Sequence, residues 1–234
     1  MKKFNIYSKH SVKFASGTCH SFLNLYSILR LIKEPQSFET IKYYCDGFSI
    51  CVVVYLISGV YPKRLSFDYS SLAHIVFEKC LKDNKSIYIL GSEERVNYAF
   101  TNHLLNKYPG LNVVGRNNGF FLEKDCDALL KNIIKINPDL LIIGMGAPKQ
   151  DKLCLLLKEL GYAGTVYTCG GFFHQTVMKV GDYYPSWINK SNLRFVYRMY
   201  KEPNTIVRYF IYYPVALALL LILVFRKNEI IEVN

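Results

Sequence analysis

Asn137-Pro-Asp-Leu-Leu-Ile-Ile-Gly-Met-Gly-Ala-Pro-Lys-Gln150 carries the clearest structural signal in the chain. An apolar run, Leu140 to Ile143, empties into Gly144, Gly146, Pro148, Lys149 and Gln150, and a helical pattern follows at once. This reads as a buried strand ending in a tight turn. Open α/β sheets bind ligands there, beyond the carboxyl ends of their strands. Glycine and proline fix the backbone, while Lys149 and Gln150 offer a positive charge and an amide. The expected cargo is anionic and polar, of the nucleotide-diphosphate kind. The run begins like G-x-G-x-x-G, but Lys149 replaces the third glycine and Pro148 removes a backbone donor, so the dinucleotide fingerprint is not completed.

Working outward, the same alternation recurs. Leu72–Leu81 reads as a helix, Ser86–Leu90 as a strand closed by Gly91-Ser92, and Glu93–Tyr108 as a helix capped by Ser92. Val96, Phe100, Leu104 and Lys107 share one face of that helix. Pro109-Gly110 stops it. Asn112–Gly115 reads as a strand, Arg116–Gly119 as a polar loop, and Asp125–Ile136 as a helix. After the central strand comes a helix over Gln150–Leu160 with Leu153, Leu156, Leu157 and Leu160 inward. Thr165–Thr168 is then a strand ended by Gly170-Gly171. Strands alternating with helices of about a dozen residues predict a doubly wound, mainly parallel, Rossmann-like α/β sheet. Residues 1–60 are less regular. Leu25, Ile28, Leu29 and Ile32 have helical spacing, and the β-branched run Ile50–Val60 reads as a strand, with a buried helix as the alternative.

The 234 residues suffice for one α/β domain and an appendage, predicted as 1–185 and 186–234. Lys and Arg number 29 against 18 Asp and Glu, a net charge of +11, which seeks phosphate on nucleotide, lipid or nucleic acid. Yet hydrophobic residues make up 51%, with 19 Tyr and 15 Phe. That is too apolar for a disordered nucleic-acid tail and favours a globular protein with a membrane-facing surface; no nucleic-acid motif is present. Seven cysteines without a C-x-x-C pair point to reduced thiols rather than a disulfide framework or zinc site. The basic start, Met1 to Lys13, lacks the apolar core and cleavage site of a secretory signal.

Beyond residue 185 the character changes. Lys190, Arg194, Arg198 and Lys201 recur at near-helical spacing beside Leu193, Val196, Tyr197 and Tyr200. After Glu202-Pro203 come twenty residues, Ile206–Phe225, in which Arg208 is the only charge. A basic amphipathic helix next to such a segment predicts a tail that binds an anionic membrane surface. Tyr209, Tyr212, Tyr213 and Pro214 make its first half interfacial. The predicted mode is peripheral or shallowly inserted, with a spanning helix and a soluble core helix as alternatives.

Among candidate chemical groups, Asp125-Cys-Asp127 matches a metal-holding D-x-D, but two acids opening a helix also suit its dipole, the reading preferred here. His10, His20, His74, His103 and His174 show no metal spacing. No metal and no cofactor are predicted. Asp46, in Tyr44-Cys-Asp-Gly-Phe48, is either an Asx-turn residue or a general base at a strand end. Arg64 could pair with Asp46 or with a phosphate.

Read in order, these motifs resemble the WecG/TagA/CpsF glycosyltransferases. The resemblance rests on Cys45-Asp46-Gly47, Lys63-Arg64-Leu65-Ser66, Tyr88-Ile-Leu-Gly91, Tyr108-Pro-Gly-Leu-Asn-Val-Val-Gly115 and Gly119-Phe-Phe121. Most specific are Pro138-Asp139, Gly144-Met-Gly-Ala-Pro-Lys-Gln150, Gly170-Gly-Phe-Phe173 and the close, Leu193-Arg-Phe-Val-Tyr-Arg-Met-Tyr-Lys-Glu-Pro203. It implies an inverting, metal-independent hexosyltransferase. The donor would be a UDP-sugar of the N-acetylmannosamine type. The acceptor would be a polyprenyl-diphosphate-linked glycan in teichoic-acid, capsule or related polysaccharide synthesis, at the cytoplasmic face of the plasma membrane. Asp46 would be the base. Asn24, Arg64, Lys149, Gln150 and His174 would contact substrate. Gly91, Ser92, Gly119, Gly146, Pro148, Gly170 and Gly171 would frame the nucleotide. Arg194, Arg198 and Arg208 would meet membrane or lipid diphosphate. A homo-oligomer is left open, and the rival function is a non-catalytic membrane scaffold in a polysaccharide-assembly complex. The chain departs from the family pattern at His174, where an Asp is usual, at Asn117-Asn118 for His-Asp, at Phe67 for a glycine and at Phe22 for a Thr. These positions lie where donor recognition is expected, so another hexose or a hexuronic acid is also open. Pro214–Phe225 is more apolar than the family pattern.

Overall fold

The computed structural model describes residues 4–10, 12, 14–178, 197, 199, 200, 203, 205–225 and 231–234. In chain order the elements are β1 (Phe4–Ile6), β2 (Cys19–Leu23), α1 (Leu25–Ile32), β3 (Lys42–Cys45), α2 (Phe48–Ser58), α3 (Ala73–Lys82), β4 (Ile87–Gly91) and α4 (Glu94–Lys107). There follow β5 (Val113–Asn117), α5 (Glu123–Ile136), β6 (Leu140–Gly144), α6 (Lys149–Glu159), β7 (Thr165–Thr168) and α7 (Phe172–Val177). The tail gives α8 (Thr205–Val207), a π-helical turn (Arg208–Tyr212), α9 (Tyr213–Phe225) and β8 (Ile231–Val233).

The eight strands form one sheet in the order β5-β4-β6-β7-β2-β3-β1-β8, and every pairing is parallel. All carboxyl ends therefore lie along one edge. Strands β2, β4, β6 and β7 are buried throughout, as strands covered on both faces must be. One core packs α1, α2, α5, α6 and α9 on one face. The other packs α3, α4 and α7 on the opposite face, where Phe173 stacks on Phe100 with centroids 4.3 Å apart.

Several expectations are corrected. Arg116 and Asn117 are not loop: they extend β5 and pair with Ile89 and Leu90 of β4, since backbone pairing with β4 outweighs their polar side chains. Ile50–Val60 is not a strand: α2 occupies Phe48–Ser58, with Gly47 at its start and a left-handed Gly59 at its end. An apolar β-branched run is common to buried strands and buried helices, and eleven residues exceed a usual strand. Strands β1, β2, β3 and β8, unread in the sequence, complete half of the sheet. They are short, and β2 carries His20 and Ser21 into the interior, where Tyr44 and Asp151 bond them. Ser92 does not cap α4. It has φ +59°, and its backbone is engaged across the sheet edge, its N–H donating to the Gly144 carbonyl; Glu93 holds the cap position. In α6, Leu153 and Leu157 are buried with Cys154, whereas Leu156 and Leu160 face outward. Lys107 is exposed, its Nζ 3.9 Å from the Tyr69 ring centre. The basic run 190–196, with Arg194, and Arg198 lie outside the described residues.

Candidate active site

The chain passes from β4 outward to β5 and returns across it to β6, so the crevice between β4 and β6 is a topological switch point. The strands meet there without side chains. A Cβ on Gly91, whose φ is +132°, would lie 2.4 Å from the Gly144 oxygen. Ser92 then accepts the Gly119 N–H at 2.8 Å, drawing the β5 loop over the same edge. The result is a chamber of about 310 Å³ with a largely backbone floor, lined by Ser92, Glu93, Gly119, Phe120, Gly146 and Lys149 among others. Phe120 is 73% exposed at its rim, a flat ring open to stacking.

A second, larger cleft of about 470 Å³ lies beside it, over the ends of β7, β2 and β3. The two share Met145, Gly146, Gly170, Gly171 and His174 as a common wall. Into the larger cleft the fold brings Asn24, Asp46, Arg64, Gln150, His174 and Arg208, positions scattered over most of the chain.

Asp46 follows β3 directly. Its N–H donates to the Leu23 carbonyl at 2.7 Å, and Gly47, with φ +125°, turns the chain into α2. The carboxylate thus stands on the edge of the sheet. Arg64 reaches it at 3.4 Å through Nη2, which also donates to Ser66 Oγ at 3.3 Å. Ser66 Oγ in turn donates to Asp68 Oδ2 at 2.8 Å. Asp68 is thereby a second carboxylate in the cleft, four residues after Arg64, which the sequence reading did not single out.

Gln150 is buried at the start of α6, and its Oε1 accepts the N–H of Gly146 at 2.9 Å and of Gly170 at 3.2 Å. It ties the β6 and β7 loops together and fixes the shared wall; the amide it can turn to the cleft is Nε2. Asn24 is also committed: its Oδ1 accepts the Ser27 N–H at 3.0 Å in a capping box that starts α1. Pro148 lines neither space and caps α6 instead, after a cis Ala147–Pro148 bond. Gly91 supports the small chamber from beneath rather than lining it. Asp139 lies at the far end of the sheet, where it binds Lys85 at 2.8 Å and the Ser86 backbone. Asp125 and Asp127 open α5, exposed and lining neither space.

The tail closes one side of the larger cleft. The Arg208 guanidinium sits 4.4 Å from the Tyr26 ring centre, on the opening turn of α1. Arg30 donates to the Tyr26 hydroxyl at 2.8 Å, and Tyr212 meets the same ring edge-on at 5.3 Å. Arg30, Arg64 and Arg208 therefore collar the cleft with three guanidinium groups. Such a collar suits a diphosphate, since guanidinium binds phosphate oxygens in a fixed fork.

Beneath the floor lies Asp151, fully buried, with its pKa pushed up by burial to about 6. Ser21 Oγ and Tyr43 OH both donate to its Oδ1, at 2.8 and 3.1 Å. Thr168, which lines the cleft, donates to Ser21 Oγ at 2.8 Å, so a hydroxyl chain links the buried acid to the site. Among the described residues, no group of three or more His, Cys, Asp or Glu side chains is arranged to hold a metal ion.

The model of the glycosyl transferase WecG/TagA/CpsF family matches residues 7–229. A UDP-Gal:alpha-D-GlcNAc-diphosphoundecaprenol beta-1,4-galactosyltransferase of Shigella boydii is 32% identical over 83% of this chain and 81% of its own. An N-acetylglucosaminyldiphosphoundecaprenol N-acetyl-beta-D-mannosaminyltransferase of Bacillus subtilis (strain 168) is 23% identical over 83% of this chain and 76% of its own. With the match running from just after β1 into the tail, the chain belongs to the WecG/TagA/CpsF glycosyltransferase family.

Proposed function

We propose that this glycosyltransferase moves a hexose from a UDP donor to an N-acetylglucosamine-type sugar carried on a polyprenyl diphosphate, with inversion at the transferred carbon. The observation that carries this reading is the pair of adjoining clefts, the larger holding Asp46 under a collar of three arginines and the smaller holding Lys149. The small chamber has the form for the nucleoside: a bare backbone floor at the switch point, Phe120 for the base and Lys149 for the diphosphate. The sugar then lies along the shared wall at Gly146, Gly170 and His174. The acceptor occupies the larger cleft, its hydroxyl toward Asp46.

In this arrangement Asp46 takes the proton from the acceptor hydroxyl as that oxygen attacks the sugar's anomeric carbon. The bond to the UDP oxygen breaks on the opposite face. Negative charge grows on the leaving diphosphate, and Arg30, Arg64, Arg208 and Lys149 are the cations within the two spaces that can stabilise it. A positioned base contributes roughly 10²–10⁴-fold, and removing one well-placed donor costs about 10²–10³-fold. With cations in that role, transfer is expected to persist in EDTA; loss restored by a divalent ion would reassign the charge stabilisation to a metal.

The hexose is favoured over N-acetylmannosamine because the galactosyltransferase relative is the more similar of the two described. The test offers purified protein a GlcNAc-diphosphate-lipid analogue with UDP-galactose, UDP-N-acetylmannosamine or UDP-glucuronic acid, and follows the product by mass. Transfer of a hexose is expected. A folded protein that transfers from no UDP-sugar would remove the reading and favour the scaffold.

A further inference from the structure

We propose that α2 is a second lipid-docking element: its outward apolar stripe inserts into an anionic bilayer and holds the mouth of the larger cleft against it. The inference rests on the polyprenyl-linked acceptor reading above, and it adds a surface that the tail does not supply.

Helix α2, Phe-Ser-Ile-Cys-Val-Val-Val-Tyr-Leu-Ile-Ser, has no charged residue. Its inner side is buried at Ile50, Cys51, Val53 and Val54. A helix on the outside of a soluble domain turns polar residues to water. This one presents Phe48, Tyr55 and Leu56, 58%, 49% and 66% exposed, with Val52 between them. Positions 48, 52, 55 and 56 follow the i, i+4, i+7, i+8 spacing of a single face. The stripe continues past Gly59 into exposed Val60 and Tyr61, whose ring packs on Tyr55 at 6.0 Å. Scattered exposed apolar residues need no explanation, but a contiguous apolar stripe marks a contact surface.

Three observations choose a bilayer as the occupant. The stripe starts two residues after Asp46, at the edge of the cleft that would take a lipid-linked sugar. It lies on the same face of the sheet as the other apolar helix, for α2 and α9 share one buried core. The continuous helical segment that leads into α9, Thr205–Ile222, is long and apolar enough for a membrane and only 17% buried. Exposed cations flank the same region: Arg30 and Lys33 at the end of α1 and Lys63 just beyond Tyr61. Apolar side chains beside cations match the boundary of an anionic bilayer, in which each Lys or Arg adds about 1 kcal/mol.

The test moves the chain's one tryptophan, Trp187, by placing Leu56→Trp or Ile75→Trp in a Trp187→Phe background. Ile75 is exposed on α3, across the sheet. Each full-length variant is mixed with vesicles of equal parts phosphatidylglycerol and phosphatidylcholine. Emission from position 56 is expected to shift to the blue and that from position 75 to stay, and Leu56→Asp should weaken vesicle partition by about tenfold or more. A protein that pellets with vesicles while position 56 stays solvent-like would overturn the docking role of α2. A blue shift without lipid, tracking a doubling of mass in light scattering, would assign the stripe to a second copy. A protein that pellets with no vesicle would remove the membrane reading altogether, and this inference with it.

Discussion

At the scale of single residues, two acids in one region divide structure from chemistry. Asp46 is partly exposed, hydrogen-bonded through its backbone and paired with Arg64 at 3.4 Å. Asp46→Asn keeps the shape and should lower transfer by roughly 10²–10⁴-fold with an unchanged melting temperature; near-normal turnover would take the base role from it. Asp151 is the reverse case, a carboxyl held away from water with its pKa raised by burial to about 6. The ordinary value is about 4, so the native chain binds this proton more tightly than the unfolded chain. Ionising it therefore costs native stability as pH rises from about 4 to about 6, and the full cost persists above that range. Asp151→Asn retains an oxygen for Ser21 and Tyr43. Its stability relative to the parent should rise by on the order of 2–3 kcal/mol between pH 4 and pH 7 in urea unfolding, whereas a difference flat with pH would refute the assignment. The two acids also show what the sequence exposes. An Asp-Gly pair in apolar text is visible as a turn with chemical potential. Asp151 reads as an acid in the first turn of a helix, where the dipole explains it, and only the parallel pairing of β2 with β7 brings Ser21 and Thr168 to it.

At the scale of elements, the legible parts are those whose local pattern is also their global role. The βα repeat from Leu72 to Thr168 could be read because β4, β6 and β7 are short buried runs that end at or just before glycine and the helices have periodic faces; β5, which runs through Gly115 to Asn117, was legible only in part. The first sixty residues resisted because two of their strands carry polar groups, and because α2 is apolar all round and so lacks a period. The caps misled for a physical reason. Ser92 is a favourable cap by type, but the chain needs its backbone to bridge β4 and β6. This switch-point interlock makes a differential prediction. Gly91→Ala would drive a methyl group against the Gly144 carbonyl, a backbone atom that cannot step aside. Gly146 also has positive φ, +75°, yet nothing lies within 4 Å of its Cβ. Gly146→Ala should cost about 1 kcal/mol, the ordinary penalty of a left-handed alanine, while Gly91→Ala should cost several times more or yield no soluble protein. Equal melting temperatures for the two variants would show that the strands do not meet as closely as described.

At the scale of the whole molecule, the question left by the sequence was whether the apolar tail spans a membrane or lies on it. Composition alone permits both, since Thr205–Ile222 passes for a spanning helix by length and hydropathy. The fold adds a constraint that periodicity cannot contain. The tail is tied to the domain at both ends: Arg208 and Tyr212 hold Tyr26 at its start, and β8 pairs with β1 in parallel register after its end. Only residues 226–230 separate α9 from β8. A link of that length reaches about 20 Å, and a helix crossing a hydrocarbon core ends about 30 Å from where it entered. With β8 in the sheet, the tail is expected to lie along a bilayer rather than cross it. We therefore expect carbonate washing to strip the protein from membranes, and a carboxyl-terminal epitope in spheroplasts to resist external protease until lysis. An epitope cut in intact spheroplasts, or protein retained through carbonate, would mean that β8 leaves the sheet when the membrane is present. Under the proposed membrane reading, a tail lying flat at the edge of the cleft, with the exposed face of α2 beginning beside Asp46, would turn the carboxylate and the three guanidinium groups toward the bilayer surface.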